Sequence, residues 1–335
     1  MTQIINNYSK DFNQIFATIT QTRQKVYSQV NHALIQLYWE IGMIISNRVA
    51  SADWGKGIVS ELAKFIIEND PTIKGFSDKN LWRMKQFYET YRDSQILSPL
   101  VRELPWTHNM IIFSQCKNTE QQEFYIKLAI KEKYSKRELE RQIDSSLYER
   151  TILGNRNVSK FLKNLHPAIN NTFKDNYVLE FLGLPDIHSE DNLQKALVQN
   201  MKKFILELGK DFIFIDEEFR LQVGNSDFFI DLLFFNRQLS ALVAFEIKVE
   251  KFKPSHIGQL NFYLEALDRD VKKPHESPSI GVLLCSDKDD EVVEYALSRS
   301  LSPALIARYS TILPDKKILQ KKMHEITEMI VAEQK

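Results

Sequence analysis

Residues Asp227 to Lys251 read DFFIDLLFFNRQLSALVAFEIKVEK. Two apolar runs, FFIDLLFF and LVAFEIKV, flank a short polar turn, which is the signature of adjacent β-strands. Each run carries ionisable residues where a sheet ordinarily has hydrocarbon: Asp231 in the first, Glu246 and Lys248 in the second. Burying a carboxylate in such a strand is costly unless something pairs with it. Strand side chains alternate, so Glu246 and Lys248 share one face while Val243, Phe245, Ile247 and Val249 take the other. Asp231 lies about as far before the turn as Glu246 lies after it, so the two are expected to be cross-strand neighbours. Like charges so placed destabilise a plain hairpin.

Around this hairpin the pattern is a helix, three strands, a helix and a strand. Glu190 to Leu208 reads as one helix with its apolar face at Leu193, Leu197, Met201, Phe204 and Leu208, stopped by Gly209. The strands are expected at Phe212–Val223, Phe228–Phe235 and Leu242–Val249, then a helix over Pro254–Leu267 and a buried strand over Ile280–Cys285. A further short helix, a strand and a polar tail helix from Asp315 to Glu333 follow. Three hairpin-linked strands form an antiparallel meander. A fourth reached through a crossover helix runs parallel to the third. The fold class is therefore α+β overall, an all-α N-terminal domain followed by an α/β domain whose mixed sheet is flanked by helices.

The first half is helical. A long helical pattern of apolar residues, from Ile15 and Ile19 through Val26, Val30, Leu34 and Leu37 to Ile45, runs from about Asp11 to Arg48 and is broken by WGKG at Trp54–Gly57. Helices follow at Ile58–Glu68 and Asp78–Tyr91, the latter with Ser77 as its N-cap. Thr119 with Gln122, and Ser135 with Glu138, read as capping boxes. The boundaries expected are 1–150 for the helical domain, 151–185 for a linker region with short helices, and 186–335 for the second domain.

With 335 residues, 43% hydrophobic content, and only 10 Gly and 10 Pro, the chain supports real cores and few irregular segments. Zero net charge excludes a broadly basic nucleic-acid coat but leaves room for a local basic groove. Cys116 and Cys285 lack metal-ligand spacing and read as buried hydrophobes in a reducing compartment. There is neither a signal peptide nor a run of 18 apolar residues, so the expectation is a soluble cytoplasmic protein with no membrane partner.

The bland reading of Glu246-x-Lys248 is a solvated edge pair, and Asp231 in register argues against it. A divalent cation bridging Asp231 and Glu246 turns the repulsion into attraction. Mg²⁺ suits this, since it takes one or two carboxylates with waters and phosphate oxygens. Lys248 can then hold an attacking water or the scissile phosphate. Glu190, in phase with Leu193 and Leu197, is either a third carboxylate for the metal or an acid favoured by the helix dipole. Gln259 and Tyr263 share a helix face, and Lys251 and Lys253 sit in the preceding loop.

Asp231, Glu246-Ile247-Lys248 and Gln259-x-x-x-Tyr263 together resemble the PD-(D/E)XK nuclease superfamily, in the branch with a Gln-x-x-x-Tyr element. The closer resemblance is to the YhcG family of bacterial nucleases. It extends through WGKG, GFSDKNLWRMKQFYETY, LPWTHN, FLGLPDIHSEDNLQKAL, KFKPSHIGQLNFYLEALD and YALSRSLSPALIARY. It implies a restriction-endonuclease-like second domain that hydrolyses phosphodiesters of nucleic acid, DNA ahead of RNA, with Mg²⁺ or Mn²⁺. The setting implied is defence against, or processing of, foreign DNA. Asp231 and Glu246 would be metal ligands and Lys248 the catalytic lysine. Gln259, Tyr263, Lys251 and Lys253 would support the site or contact nucleic acid. One departure is that Ile230 stands where the superfamily name has proline.

The resemblance also implies an adaptor role for the helical domain, toward nucleic acid or a partner protein; for the chain as a whole, a homodimer or a complex with a partner protein is a separate expectation. Helices Ile58–Glu68 and Asp78–Tyr91 could form a helix-turn-helix-like pair, with Lys79, Arg83, Lys85 and Arg92 on phosphates and Trp82 and Tyr88 near bases. The preferred reading is a solvated basic face with packed aromatics. His108 is expected to be packed or capping. The alternatives to an enzyme are a nucleic-acid-binding protein that keeps a nuclease fold, and a subunit active only within a larger complex.

Overall fold

The computed structural model describes residues 2–154, 157–167, 169, 172–298, 300 and 302–333, with side chains described outside 2–10, 157 and 326–333. The chain forms two compact units, Met1–Glu140 and Arg141–Lys335. The first contains α1 (Thr2–Ala50), α2 (Lys56–Asn69), α3 (Asp78–Tyr91), α4 (Leu97–Leu100), α5 (Trp106–Gln115), α6 (Thr119–Glu132) and the start of α7 (Lys136–Asp144). Among the described residues it has no strand. Its core joins Ile35, Tyr38, Trp39 and Ile45 of α1 to Leu81, Met84, Phe87 and Tyr91 of α3. Gly42 allows that approach, because a Cβ there would lie 2.2 Å from the Met84 carbonyl oxygen. Ser77 Oγ accepts from Asn80 N–H and caps α3, as expected.

The two expected capping boxes differ in outcome. Ser135 and Glu138 bond reciprocally. Thr119 and Gln122 do not form a box. Asn118, in extended conformation one residue earlier, accepts from Gln121 N–H, and the Gln122 side chain donates to the Cys116 carbonyl.

The second unit contains α8 (Leu147–Leu153), β1 (Asn157–Val158), α9 (Lys160–Leu165), β2 (Asn176–Val178), α10 (Glu190–Gln199), α11 (Met201–Leu208), β3 (Phe212–Val223), β4 (Ser226–Asn236), β5 (Ala241–Lys251), α12 (His256–Ala266), β6 (Ser277–Asp287), α13 (Asp290–Leu297), β7 (Ala304–Ser310) and α14 (Lys316–Glu333). The strand order is β1-β7-β6-β5-β4-β3, with β2 also paired to β7. β3, β4 and β5 are the antiparallel meander, and β6 and β7 run parallel to β5. This is the expected mixed sheet. β1 and β2 come from the stretch between 151 and 185.

The helix expected over Glu190–Leu208 is two helices. Asn200 leaves the helical region at φ −109°, ψ 24°, and its side chain donates to the Ala196 carbonyl. Phe204 and Leu208 nevertheless stay on the face of Leu193 and Leu197, and all four are buried against Phe234, Phe245 and Ile247. The opposite face is covered by α12 and α13. There Leu260 and Val293 meet Leu283 and Ile306, and Tyr263 and Leu264 meet Leu233 and Ala244. Gly281 seats α12 on β6, since a Cβ there would meet Leu260 at 2.7 Å. Cys116 and Cys285 are both buried free thiols.

Glu207 on α11 is fully buried and sits between three cations: Arg141 at 2.9 Å, Arg150 at 3.4 Å and Lys174 at 3.1 Å. Burial alone would raise its pKa, but Lys174, Arg150 and Arg141 outweigh burial and hold it down to about 2. Stability from this group is present above the ordinary carboxylate range and lost as pH falls through about 2. Glu207→Ala leaves Arg150 and Lys174 without their carboxylate and Arg141 with Glu180 alone, and is expected to cost about 3–5 kcal/mol. Urea denaturation at neutral pH checks this, and a loss below ~1 kcal/mol would contradict it.

Candidate active site

The site forms where β4 and β5 stop pairing. Their register ends at Leu232 opposite Phe245. One step further, the same register sets Asp231 against Glu246. There the backbone ladder gives way to a side chain: Asp231 Oδ2 accepts the Ile247 N–H at 2.7 Å. The neighbouring ladder is also interrupted at this level. β3 and β4 pair at Glu217–Leu232 and at Phe219–Ile230, skipping Glu218 and Asp231, and Glu218 has a left-handed φ of 47°. The facing of β4 changes sense here. Phe228 and Ile230 join Leu233 and Phe235 on the α12 side, while Leu232 and Phe234 face α10 and α11.

β5 keeps regular alternation. Val243, Phe245, Ile247 and Val249 face α10 and α11, which leaves Glu246 and Lys248 together on the other side, as expected. Lys248 Nζ donates to Glu246 Oε1 at 2.9 Å and to Glu190 Oε2, at the start of α10, at 3.4 Å. Gln194 of α10 donates to the Asp231 carbonyl at 3.2 Å. On α12, Gln259 Nε2 donates to Tyr263 Oη at 2.7 Å. Tyr263 is buried close enough to feel the charges of Glu246, Asp231 and Lys248. The fork thus brings together Asp231, Glu246, Lys248 and Glu190, with Tyr263 and Gln259 beside them.

Lys251 and Lys253 do not join this cluster. Lys251 is exposed and 3.9 Å from Asp287. Lys253 pairs with Glu250, which also meets His256 Nε2 at 3.0 Å. Sequence reading missed Gln194 and Glu218. Their only advance signals are an α10 position one turn beyond Glu190 and an acidic run, Asp216-Glu217-Glu218, in an otherwise apolar strand.

The electrostatics follow from the crowding. Burial first, and then the Asp231 charge, push Glu246 up to about 7 against the pull of Lys248. Burial also raises Asp231, with Glu190 and Glu218 adding to the shift, while the Ile247 N–H and Lys248 oppose it. Burial would lower Lys248, but Glu246, Glu190 and Asp231 outweigh it and hold the ammonium above its ordinary value. Lys248 is therefore a fixed cation and not a base. Glu246 is 2% exposed, and its Oε2 is buried with no hydrogen-bond partner. Buried carboxylate oxygens are normally satisfied, so an orphan in such a cluster calls for a missing partner.

A divalent cation fits that description. The donors are hard oxygens, and two carboxylates are enough for Mg²⁺ with its waters. Among the described residues no three His, Cys, Asp or Glu side chains are gathered closely enough to hold a cation by themselves, and Glu190 is engaged by Lys248 at 3.4 Å.

In the first unit, His108 is buried and its Nε2 lies 2.8 Å from the Tyr134 carbonyl, a packed role. Tyr88 packs edge-on to Trp39. Lys85 pairs with Glu89 at 2.7 Å and Arg92 with Asp93 at 3.3 Å. Lys79 and Arg83 are exposed. These placements favour the solvated face.

A mixed sheet carrying an Asp, a Glu-x-Lys and a flanking helix with Gln-x-x-x-Tyr has the build of a PD-(D/E)XK nuclease. Comparison with known families agrees. Residues 170–324 match the YhcG PDDEXK nuclease domain, and residues 14–150 match the DUF1016 N-terminal domain. The chain is 31% identical to "Putative nuclease YhcG" of Escherichia coli (strain K12) over 93% of its own length and 92% of the relative's. It belongs to the YhcG nuclease family. Among solved structures, a repair endonuclease from Pyrococcus abyssi matches 39% of this chain and 50% of its own, at 16% identity and a TM-score of 0.27, a likeness too slight to carry weight. No helix among the described residues is long and apolar enough to cross a membrane.

A carboxyl group whose folded pKa is raised favours the fold while protonated. Its contribution is complete below the unfolded value and lost as pH rises through the folded one. In metal-free protein, Glu246→Gln should therefore be near neutral at pH 4.5 and stabilising above pH 7, by on the order of 2–3 kcal/mol. Urea denaturation of both proteins in EDTA measures the difference, and a gap that is constant with pH counts against the assignment.

Proposed function

We propose that this protein hydrolyses phosphodiester bonds of DNA with a divalent cation, Mg²⁺ or Mn²⁺, held by Asp231 and Glu246. The observation that carries this reading is the unpartnered Oε2 of buried Glu246 opposite Asp231. When bound, such a cation neutralises the carboxylates, polarises the scissile phosphate and supplies an acidified water.

The chain's own residues do the rest. The Ile247 N–H fixes one oxygen of Asp231, which leaves this carboxylate little rotational freedom. Glu246 Oε1 and Glu190 Oε2 anchor Lys248 from two sides, so the ammonium is pre-positioned and stays protonated through neutral pH. It can hold the attacking water in line or balance charge building on the phosphoryl oxygens, a preorganised term of the kind that contributes most in dry sites. Tyr263, braced by Gln259, offers a hydroxyl at the edge of the cluster to orient a phosphate oxygen. Choice of DNA over RNA rests on the family reading alone.

The test is cleavage of plasmid DNA, single-stranded DNA and RNA with Mg²⁺, Mn²⁺ or EDTA. Asp231→Asn and Lys248→Ala are each expected to lower the rate by at least ~10²-fold, with melting temperatures close to the parent. Tyr263→Phe is expected to reduce activity less. Cleavage untouched by both variants would overturn the assignment. Metal-dependent binding without cleavage of any substrate would identify a non-catalytic binder instead.

A further inference from the structure

α1 is 49 residues long, yet among its described side chains only those toward its C-terminal end enter a core. From residue 11 to residue 34 none of its side chains is buried. A helix in water draws most of its stability from a packed apolar face, which this stretch lacks. Its apolar residues are nevertheless ordered. Phe16, Ile19, Val26, Val30 and Leu37 occupy positions that alternate by three and four residues, with Arg23 and Ala33 filling the two intervening places. That is the 3.5-residue period of a coiled-coil seam, and it differs from the 3.6-residue stripe of a helix lying on a globular core. Ile15, Tyr27 and Leu34 border the seam, and the large apolar residues here are between 39% and 69% exposed. Covering them would remove on the order of 800 Å² from each helix, the size of one side of a standard stable interface.

We propose that α1 pairs with α1 of a second copy of this chain in an antiparallel two-stranded coiled coil. Between residues 11 and 34 the only acidic or basic residues, histidine aside, are Asp11, Arg23 and Lys25. The flanks are otherwise glutamine, threonine, serine and asparagine. There is no charge code of the kind that selects a different partner or rejects a copy of itself. A parallel in-register pair would set Arg23 against Arg23 inside the seam. An antiparallel pair centred on residue 21 sets Phe16 against Val26 and Arg23 beside Ile19. It also overlays residues 11–31 on themselves, which is the stretch that has no buried side chain. Such a two-fold contact is closed, so it ends at a dimer. This proposal is independent of the catalytic reading.

Sedimentation equilibrium of the full chain is expected to give twice the 39.3 kDa chain mass at micromolar concentration. Val26→Glu combined with Val30→Glu is expected to give the single mass. These side chains touch no core, so the variant keeps its urea transition but loses helical ellipticity equivalent to roughly one 20-residue segment. A second measurement uses chains carrying Phe16→Cys or Val26→Cys. The antiparallel pair links the two kinds of chain to each other under mild oxidation and links neither to itself. A wild-type chain that is monomeric at 50-fold higher concentration, or a double variant that remains dimeric, overturns the proposal. Self-linking of Phe16→Cys overturns the antiparallel order.

Discussion

The structure of the second unit turns on the placing of two like charges side by side in a dry place. Asp231 and Glu246 face one another at the point where β4 leaves β5, and one lysine is shared there between Glu246 and Glu190. Glu246 is buried, and its second oxygen has no hydrogen-bond partner within the chain. The surrounding architecture serves to maintain this arrangement. The Ile247 amide, the α10 contacts through Gln194 and Glu190, and the seat of α12 on Gly281 all converge on the fork. An ordinary hairpin would relieve such repulsion by turning one acid to solvent. Here the ladder on both sides of β4 is interrupted instead, and the acids stay in.

Glu207 shows what the same protein does with a buried carboxylate that has only a structural task. It is buried as deeply as Glu246 but sits among Arg141, Arg150 and Lys174, which hold it ionised down to about 2. Glu246 has half a share of one lysine and is pushed up to about 7. The difference is not depth but compensation. Glu207 has three cations in contact, whereas Glu246 shares its one cation and keeps an oxygen without a hydrogen-bond partner. Perturbed groups cluster at functional sites for this reason, and the contrast within one domain separates the functional case from the merely buried one.

Much of this was legible in the sequence because strand alternation and hairpin counting are local rules. They placed the three antiparallel strands, the parallel fourth strand, and Glu246 and Lys248 on one face. The resemblance to the YhcG nucleases then tied Gln259 and Tyr263 to the same site. What was not legible depended on departures from regularity. The break at Asn200 needs a side chain to compete with its own helix, and Asn118 displaced Thr119 as a cap by one residue. Glu218 lies opposite Asp231 where the ladder skips both residues, and Gln194 reaches the Asp231 carbonyl from α10; no periodicity announces a skipped pair. Glu207 occupies an unremarkable place in an amphipathic helix, and its three partners come from segments as far as 66 residues away.

A chain with zero net charge acting on a polyanion must solve its attraction locally. The basic residues nearest the fork do little for it. Lys251 and Lys253 are engaged by Asp287 and Glu250 at the surface, where such pairs exchange readily with water and salt. The fork itself sets a single ammonium, Lys248, among Asp231, Glu246 and Glu190, and so offers a phosphate little attraction of its own. Attraction at the reacting centre therefore depends on the same charge balance that leaves Glu246 Oε2 unpartnered.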